Sequence, residues 1–164
     1  MMSARGARPS PEGPSPGREA LSGTLLGFDF GEQRVGVAVG ETSTRIANPL
    51  GAIEESANER RFRAIEALVN EWRPVAFIVG RPQHADGSEH PVARLTAKFA
   101  RRLAARYRLP VVFVDETLTS ATAQSELRAV NARATRDADI DALAAALILQ
   151  SFLDEPEAHE QLAP

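Results

Sequence analysis

Asp29 is the residue of this sequence that most strongly suggests chemistry, because it is a carboxylate inside an apolar segment. It interrupts Thr24–Phe30 (TLLGFDF), a short run that is typical of a buried strand. Alternation along a strand places Gly27, Asp29 and Gly31 on one face, so the glycines leave room for a ligand or a phosphate. Burying a carboxylate is costly unless a charge or hydrogen-bond donors offset it, and a metal ion is the strongest such offset. The alternative is an Asp held by turn amides at a strand end.

Further acids stand at the boundaries of later predicted elements. Asp115 and Glu116 directly follow the apolar run PVVFV, and ligands gather at strand ends in α/β sheets. Adjacent strand residues point to opposite faces, so only one of the two is expected on the Asp29 side, and Glu116, at the tip, is favoured. The alternative is that the pair is only a solvated strand end. Asp141 opens the last predicted helix and shares its stripe with apolar residues at i+3, i+4, i+7 and i+11. The helix dipole alone would explain such an acid equally well.

These three carboxylates, if they converge, supply the hard oxygen ligands that Mg²⁺ or Mn²⁺ prefers. Two such ions about 3.5–4 Å apart can activate an attacking water and stabilise a leaving oxygen. The chain has no cysteine, which excludes disulfides, zinc-thiolate sites and cysteine nucleophiles. The histidines, His84, His90 and His159, show no metal-ligand spacing.

Candidate phosphate contacts lie in the loop after the fourth predicted strand and in the helix that follows. Gly80 permits close backbone approach, and Arg81 offers a guanidinium fork, although a plain turn is the alternative. The loop is not a P-loop, because no Gly-Lys-Ser/Thr follows. The helix has no acid between Arg94 and Arg108, which fits a phosphate track or a solvated basic face about equally. Its candidate substrate contacts are Arg94, Lys98 and Arg101.

The elements that must position these groups predict one α/β domain with a mixed sheet flanked by helices. The predicted strands lie at 24–30, 34–40, 45–53, 75–79 and 110–114, and the helices at about 58–72, 91–107, 120–129 and 139–153. Asn58 is expected to cap the first helix, and Pro49 to push the third strand to a sheet edge.

The domain is assigned to residues 23–153, between a Pro/Gly-rich leader at 1–22, expected to be disordered, and an acidic tail at 154–164. The chain has a net charge of −3, which argues weakly against general nucleic-acid binding. The acidity lies in the tail, whose four acids and no Lys or Arg give it a net charge of −4. No apolar run approaches the roughly 18 residues that a membrane span needs, and the N-terminus does not resemble a secretory signal. We therefore expect a cytoplasmic protein without a membrane partner.

Four strings in this order resemble the YqgF family: GTLLGFDFGEQRVGVAVG, VGRPQHADGSE, VDETLTS and IDALAAALILQSFLD. The similarity runs from about Gly23 to Asp154. These RuvC-like proteins of the RNase H-like superfamily are described as Holliday junction resolvases and pre-16S rRNA nucleases. The resemblance implies an RNase H-like fold with a five-stranded mixed sheet, and Mg²⁺-dependent cleavage by a triad on Asp29, Glu116 and Asp141. It also implies a cytoplasmic role in maturing the 5′ end of 16S rRNA.

The sequence departs from the family pattern at three places. Thr117 stands where the family often has Arg, and Arg81 stands where Leu is usual and is a candidate replacement for that charge. Asp137 and Asp139 stand near Asp141, where the family often has Lys or Arg just before the last Asp.

Three rival functions stay open at this point. They are a Holliday junction resolvase acting on branched DNA, a non-catalytic RNA-binding ribosome-assembly factor, which Thr117 favours slightly, and a nucleotide phosphotransferase. A nucleotide phosphotransferase of this kind needs two such domains, and a chain of 164 residues is too short for them. The sequence does not distinguish an RNA substrate from a DNA substrate, and it does not predict the oligomeric state.

Overall fold

The structure is a computed structural model that describes residues 21–82, 91–116, 137–156 and 160–162. The strands are β1 (Thr24–Phe30), β2 (Val35–Glu41), β3 (Ile46–Ile53), β4 (Ala76–Arg81), β5 (Val111–Asp115) and β6 (Glu160–Leu162). The helices are α1 (Asn58–Trp72), α2 (Ala93–Tyr107) and α3 (Asp137–Asp154). Several predictions lie outside these residues: most of the leader, most of the loop after β4, the helix at 120–129, the three histidines and Thr117.

The strands form one mixed sheet in the order β3-β2-β1-β4-β5-β6. The first three make an antiparallel meander, whereas β4 pairs parallel with β1, and β5 pairs parallel with β4. The predicted mixed α/β architecture is therefore confirmed. Pro49 lies in β3 at the edge of the sheet, as expected of a residue that cannot donate to a hydrogen-bond ladder on both sides.

The sheet has a sixth strand, where the sequence predicts five. β6 pairs antiparallel with β5, so that Leu162 lies opposite Val111. Leu162 also packs against the hydrophobic core. A strand of three residues is too short for alternation to reveal, and it lies in the segment interpreted as an acidic tail.

Apolar cores cover both faces of the sheet. On one face, α1 and α2 pack against the row of Phe28, Phe77 and Phe113. On the other face, α3 packs against Leu25, Ile78 and their neighbours on the same face. Because side chains alternate along a strand, every sheet residue is assigned to the α1/α2 face or to the α3 face.

The helices begin and end for local reasons. α1 has the predicted bounds, but Asn58 is its first residue, and Ala57 takes the capping position without a side-chain hydrogen bond. It ends at Arg73, which adopts a left-handed conformation (φ 50°) and donates its N–H to the Val69 carbonyl, just before Pro74. Within the described ranges, no helix combines the length and the hydropathy that crossing a bilayer requires.

α3 packs closely on the sheet, because glycines face it. A Cβ atom at Gly27 would come within 2.9 Å of the Leu149 Cβ, and one at Gly80 within 2.4 Å of an isoleucine side chain of α3. Larger residues at these positions would push the helix away. The glycines of β1 and β4 therefore set the distance at which α3 can present its own side chains over the sheet.

Candidate active site

The three predicted acids all lie on the α3 face, each near the end of an element. Asp29 is the second-last residue of β1, Glu116 follows β5 directly, and Asp141 lies near the beginning of α3. Alternation along β5 places Glu116 in the row of Val114, which packs in the α3 core. Its neighbour Asp115 falls in the opposite row, so the structure favours Glu116 over Asp115 as the partner of Asp29.

Glycines on both sides of β1 make room for these carboxylates. Asp29 is paired with Gly36 of β2, and a Cβ at Gly36 would lie 2.0 Å from the backbone oxygen of Asp141. A Cβ at Gly80, on β4, would lie 3.1 Å from Oε2 of Glu116. A side chain at Gly36 would displace the backbone of Asp141, and one at Gly80 would clash with α3 and press on Glu116. Of the predicted substrate contacts, Gly80 is thus placed beside the carboxylates.

The acids interact electrostatically as well. Burial, followed by the charges of Glu116 and then Asp141, raises the pKa of Asp29 to about 7. Burial and then the charge of Asp115 raise the pKa of Glu116. Perturbed carboxylates gathered in this way are characteristic of functional sites, because a fold gains no stability from forcing like charges together.

Arg34 belongs to this cluster, although no sequence motif singled it out. Its Nε donates to Oδ2 of Asp141 at 2.7 Å, and both side chains are partly exposed. The two residues are 107 positions apart, so no local pattern reveals their contact. The available signal was the position of Arg34 on the predicted second strand, two residues before Gly36 and therefore on the same face.

Arg61 is a second residue that sequence reasoning missed. It is only 3% exposed, and its guanidinium donates to the carbonyls of Gly31 (3.1 Å), Glu32 (2.8 Å) and Glu55 (2.9 Å). The same group lies 5.2 Å from the centre of the Phe30 ring, and burial lowers its pKa. Arg61 therefore fixes the turn between β1 and β2, through which the chain passes from the buried acid to its partner strand.

The predicted cationic contacts lie on the other side of the sheet. The Arg81 guanidinium lies 4.9 Å from the centre of the Phe113 ring, on the α1/α2 face. Arg94, Lys98 and Arg101 are exposed on α2, which covers that same face. The structure does not bring these four cations to the carboxylates. Alternation could have shown this for Arg81, because it is adjacent to Gly80 on one strand.

The carboxylates suit a divalent metal ion in chemical type. Asp29, Glu116 and Asp141 provide hard oxygen donors on one face, and the glycines beside them let α3 and the Glu116 side chain lie close to the sheet. Across the described ranges, however, no three His, Cys, Asp or Glu side chains form a ready-made metal cluster. Mutual repulsion opposes closer approach of the acids, and the Asp141 carboxylate is paired with Arg34. The donors therefore fit Mg²⁺ or Mn²⁺ without being gathered around one point.

Comparison with known sequences gives consistent matches over nearly the whole domain. The model of the RuvX family, described as Holliday junction resolvase, matches residues 23–155. A protein of Dechloromonas aromatica named "Putative pre-16S rRNA nuclease" is 50% identical over 136 residues, which are 82% of this chain and 92% of that protein. One of the same name from Ralstonia nicotianae is 45% identical over 150 residues, 92% of this chain and 99% of that protein.

Comparison with solved structures supports the fold. RuvC of Thermus thermophilus, in complex with a Holliday junction substrate, matches with a TM-score of 0.52 and 18% identity. The match covers 85% of this chain and 99% of that one. At this identity the likeness speaks for the fold alone, and it confirms the predicted RNase H-like architecture.

Proposed function

This chain belongs to the RuvX family of Holliday junction resolvases, and from that premise we propose that it is a metal-dependent nuclease. The observation that carries the proposal is the carboxylate cluster of Asp29, Glu116 and Asp141 on the α3 face. Its central acid has a pKa raised to about 7 by burial and by the other two. A fold tolerates such a group when the charge is neutralised during function, and a divalent cation does this.

In this proposal the acids and the glycines of the site have different tasks. Asp29, Glu116 and Asp141 hold Mg²⁺ or Mn²⁺ through their oxygens. The bound cation supplies activation of water and stabilisation of the departing oxygen of a phosphodiester. Gly36 and Gly80 let the backbone of Asp141 and the carboxylate of Glu116 lie close to the sheet.

We propose precursor 16S rRNA, cut near its 5′ end, as the substrate. The support is that two relatives, matched over more than nine-tenths of their own length, carry a name that specifies pre-16S rRNA. Branched DNA is the second candidate, since the family description names Holliday junctions. Both substrates present the same phosphodiester to the cluster, so the metal chemistry serves either. We propose a cytoplasmic location, where precursor rRNA is available.

The experiment is a cleavage assay with Mg²⁺ or Mn²⁺ on precursor 16S rRNA and, in parallel, on a four-way DNA junction. The wild type is compared with Asp29→Asn and with Asp139→Asn, an exposed acid of α3 that serves as a control for the same change of charge. We expect the wild type and the control to cut the rRNA, and Asp29→Asn to be slower by about 100-fold or more. If the wild type cuts neither substrate but binds rRNA as tightly as Asp29→Asn does, the nuclease proposal fails and a non-catalytic assembly factor takes its place.

A further inference from the structure

Arg34 lies in the carboxylate cluster, yet the proposed function gives it no task. We propose that Arg34 is a positioning residue, which holds one oxygen of the Asp141 carboxylate so that the other can ligate a divalent cation. The inference rests on the proposed metal site and adds to it a residue that never touches the metal.

The geometry shows that β2 and the residue directly before it hold Asp141 at two points. The backbone of Asp141 lies against Gly36, where even a single added carbon would come within 2.0 Å of its carbonyl oxygen. Its side chain accepts the 2.7 Å hydrogen bond from Arg34 Nε. Arg34 directly precedes β2, and Gly36 is the second residue of that strand. One short segment of the chain thus contacts both the backbone and the side chain of Asp141.

The backbone next to Arg34 is held by strand pairing. The next residue, Val35, is fully buried and is paired with Phe30 at the end of β1. The turn between these strands is clamped by the guanidinium of Arg61 through the Gly31 and Glu32 carbonyls. The direction from which Arg34 reaches Asp141 is therefore set by the strand pairing.

Stability does not explain the ion pair. The side chains of Arg34 and Asp141 are 35% and 24% exposed, and ion pairs with such access to water contribute little to folding. A charge-assisted hydrogen bond in this geometry does restrict the rotation of a carboxylate. Groups that orient a metal ligand in this way commonly change metal affinity by about 10- to 100-fold.

A rival interpretation predicts the opposite sign. If Arg34 only competed with the metal as a positive charge, its removal would tighten metal binding. Orientation predicts weaker binding without the guanidinium, even where the charge is kept, because a Lys ammonium on its flexible stem does not fix the direction of an N–H as the planar guanidinium does. The two interpretations are therefore separated by a pair of substitutions.

The test is the Kd for Mn²⁺, measured by calorimetry on the full-length protein without nucleic acid. We compare the wild type with Arg34→Met, Arg34→Lys and Arg60→Met, which removes an exposed cation 3.7 Å from Glu55. We expect Arg34→Met and Arg34→Lys each to raise the Kd by about 10-fold or more, and Arg60→Met to leave it unchanged. Circular dichroism of the metal-free variants checks that they are folded. If Arg34→Met does not fold, the Kd of Arg34→Lys tests the inference.

Unchanged or tighter Mn²⁺ binding by Arg34→Lys overturns the inference, and so does tighter binding by Arg34→Met. Those results contradict the positioning role while the metal site itself survives. Failure of the wild type to bind Mn²⁺ at all is a different outcome, which overturns the proposed metal function together with this inference.

Discussion

At the scale of single residues, Asp29 carries most of the electrostatic cost of the site. Burial and the charges of Glu116 and Asp141 raise its pKa to about 7, so near neutral pH the metal-free protein holds a substantial fraction of Asp29 in the protonated form. A cation ligated by this oxygen would favour the ionised form, so binding would release a proton. Metal affinity should therefore increase with pH up to about neutrality.

The raised pKa also predicts how stability depends on pH. The folded pKa of Asp29 lies above its unfolded value, so between the two the folded state binds more protons and loses stability as the pH rises to about 7. The loss is on the order of 1.4 kcal/mol for each unit by which the pKa is raised. Asp29→Asn carries no charge and escapes this loss. We expect it to stabilise the metal-free protein more at pH 8 than at pH 5.

Urea unfolding in the presence of a chelator measures this difference at both pH values. Asp139→Asn is the control, because its carboxyl is exposed on the same helix as Asp141. If the free-energy difference between wild type and Asp29→Asn is the same at pH 5 and pH 8, Asp29 ionises near its ordinary pKa and the electrostatic description of the cluster is wrong.

Several site residues could be predicted at this scale, and others could not. Asp29 was evident because a charge within a buried strand is rare, and Glu116 because it directly follows a strand. Arg34 and Arg61 were not evident, because each acts on a partner that only the folded chain brings close. For Arg61 these partners are mostly backbone carbonyls, and because every residue has one, the sequence does not show which of them Arg61 contacts.

At the scale of elements, the direction of α2 determines how far its cations lie from the carboxylates. It follows β4 in the chain, so its first turn begins at the end of the sheet where β4 ends, and it runs away from that end. Arg94 lies in the first turn, whereas Arg101 is about 10 Å further along the helix axis at a rise of about 1.5 Å per residue. Of the three predicted substrate contacts on this helix, Arg94, Lys98 and Arg101, Arg94 therefore lies nearest to the strand ends that carry Asp29 and Glu116.

This placement predicts a graded effect on nucleic-acid affinity. We expect Arg94→Gln to weaken binding of precursor rRNA most and Arg101→Gln least, with Lys98→Gln between them. A substitution that removes one cation from a phosphate should lower the slope of log affinity against log salt by about 1. Filter binding at several salt concentrations measures both quantities, and Arg63→Gln on the exposed side of α1 is the control. Equal affinities for all variants would show that the basic stripe of α2 is a solvated face.

Element boundaries were predictable where apolar periodicity is strong. β1 and α1 have the bounds that their patterns predict, because each buries a continuous face. β6 was not predictable, since its three residues gain their strand conformation from pairing with β5 and from the packing of Leu162 against the core. Hydrophobic periodicity also could not predict on which side of the sheet α2 packs, because it identifies the apolar face of a helix but not the surface that this face contacts.

At the scale of the whole molecule, the sheet separates two chemically different surfaces. The α3 face presents the carboxylates with Arg34, whereas the α1/α2 face carries Arg81 and the basic stripe of α2. The overall charge of −3 conceals this separation. A nucleic acid that reaches the carboxylates meets cations of α2 only by passing around the end of the sheet, so phosphate binding and cleavage are expected to depend on different residues.

The central claim is that Asp29 ligates the metal that supports cleavage, and a change of ligand chemistry tests it most directly. The chain has no cysteine, so Asp29→Cys introduces the only thiol. Thiolates bind soft cations in preference to Mg²⁺. Cleavage of precursor 16S rRNA by this variant is measured in Mg²⁺, Mn²⁺ and Cd²⁺, beside Asp29→Ser and the wild type. We predict that Asp29→Cys loses its Mg²⁺-dependent activity and regains cleavage with Mn²⁺ or Cd²⁺, whereas Asp29→Ser regains none. If both variants cleave the rRNA in Mg²⁺ at the rate of the wild type, the claim is contradicted.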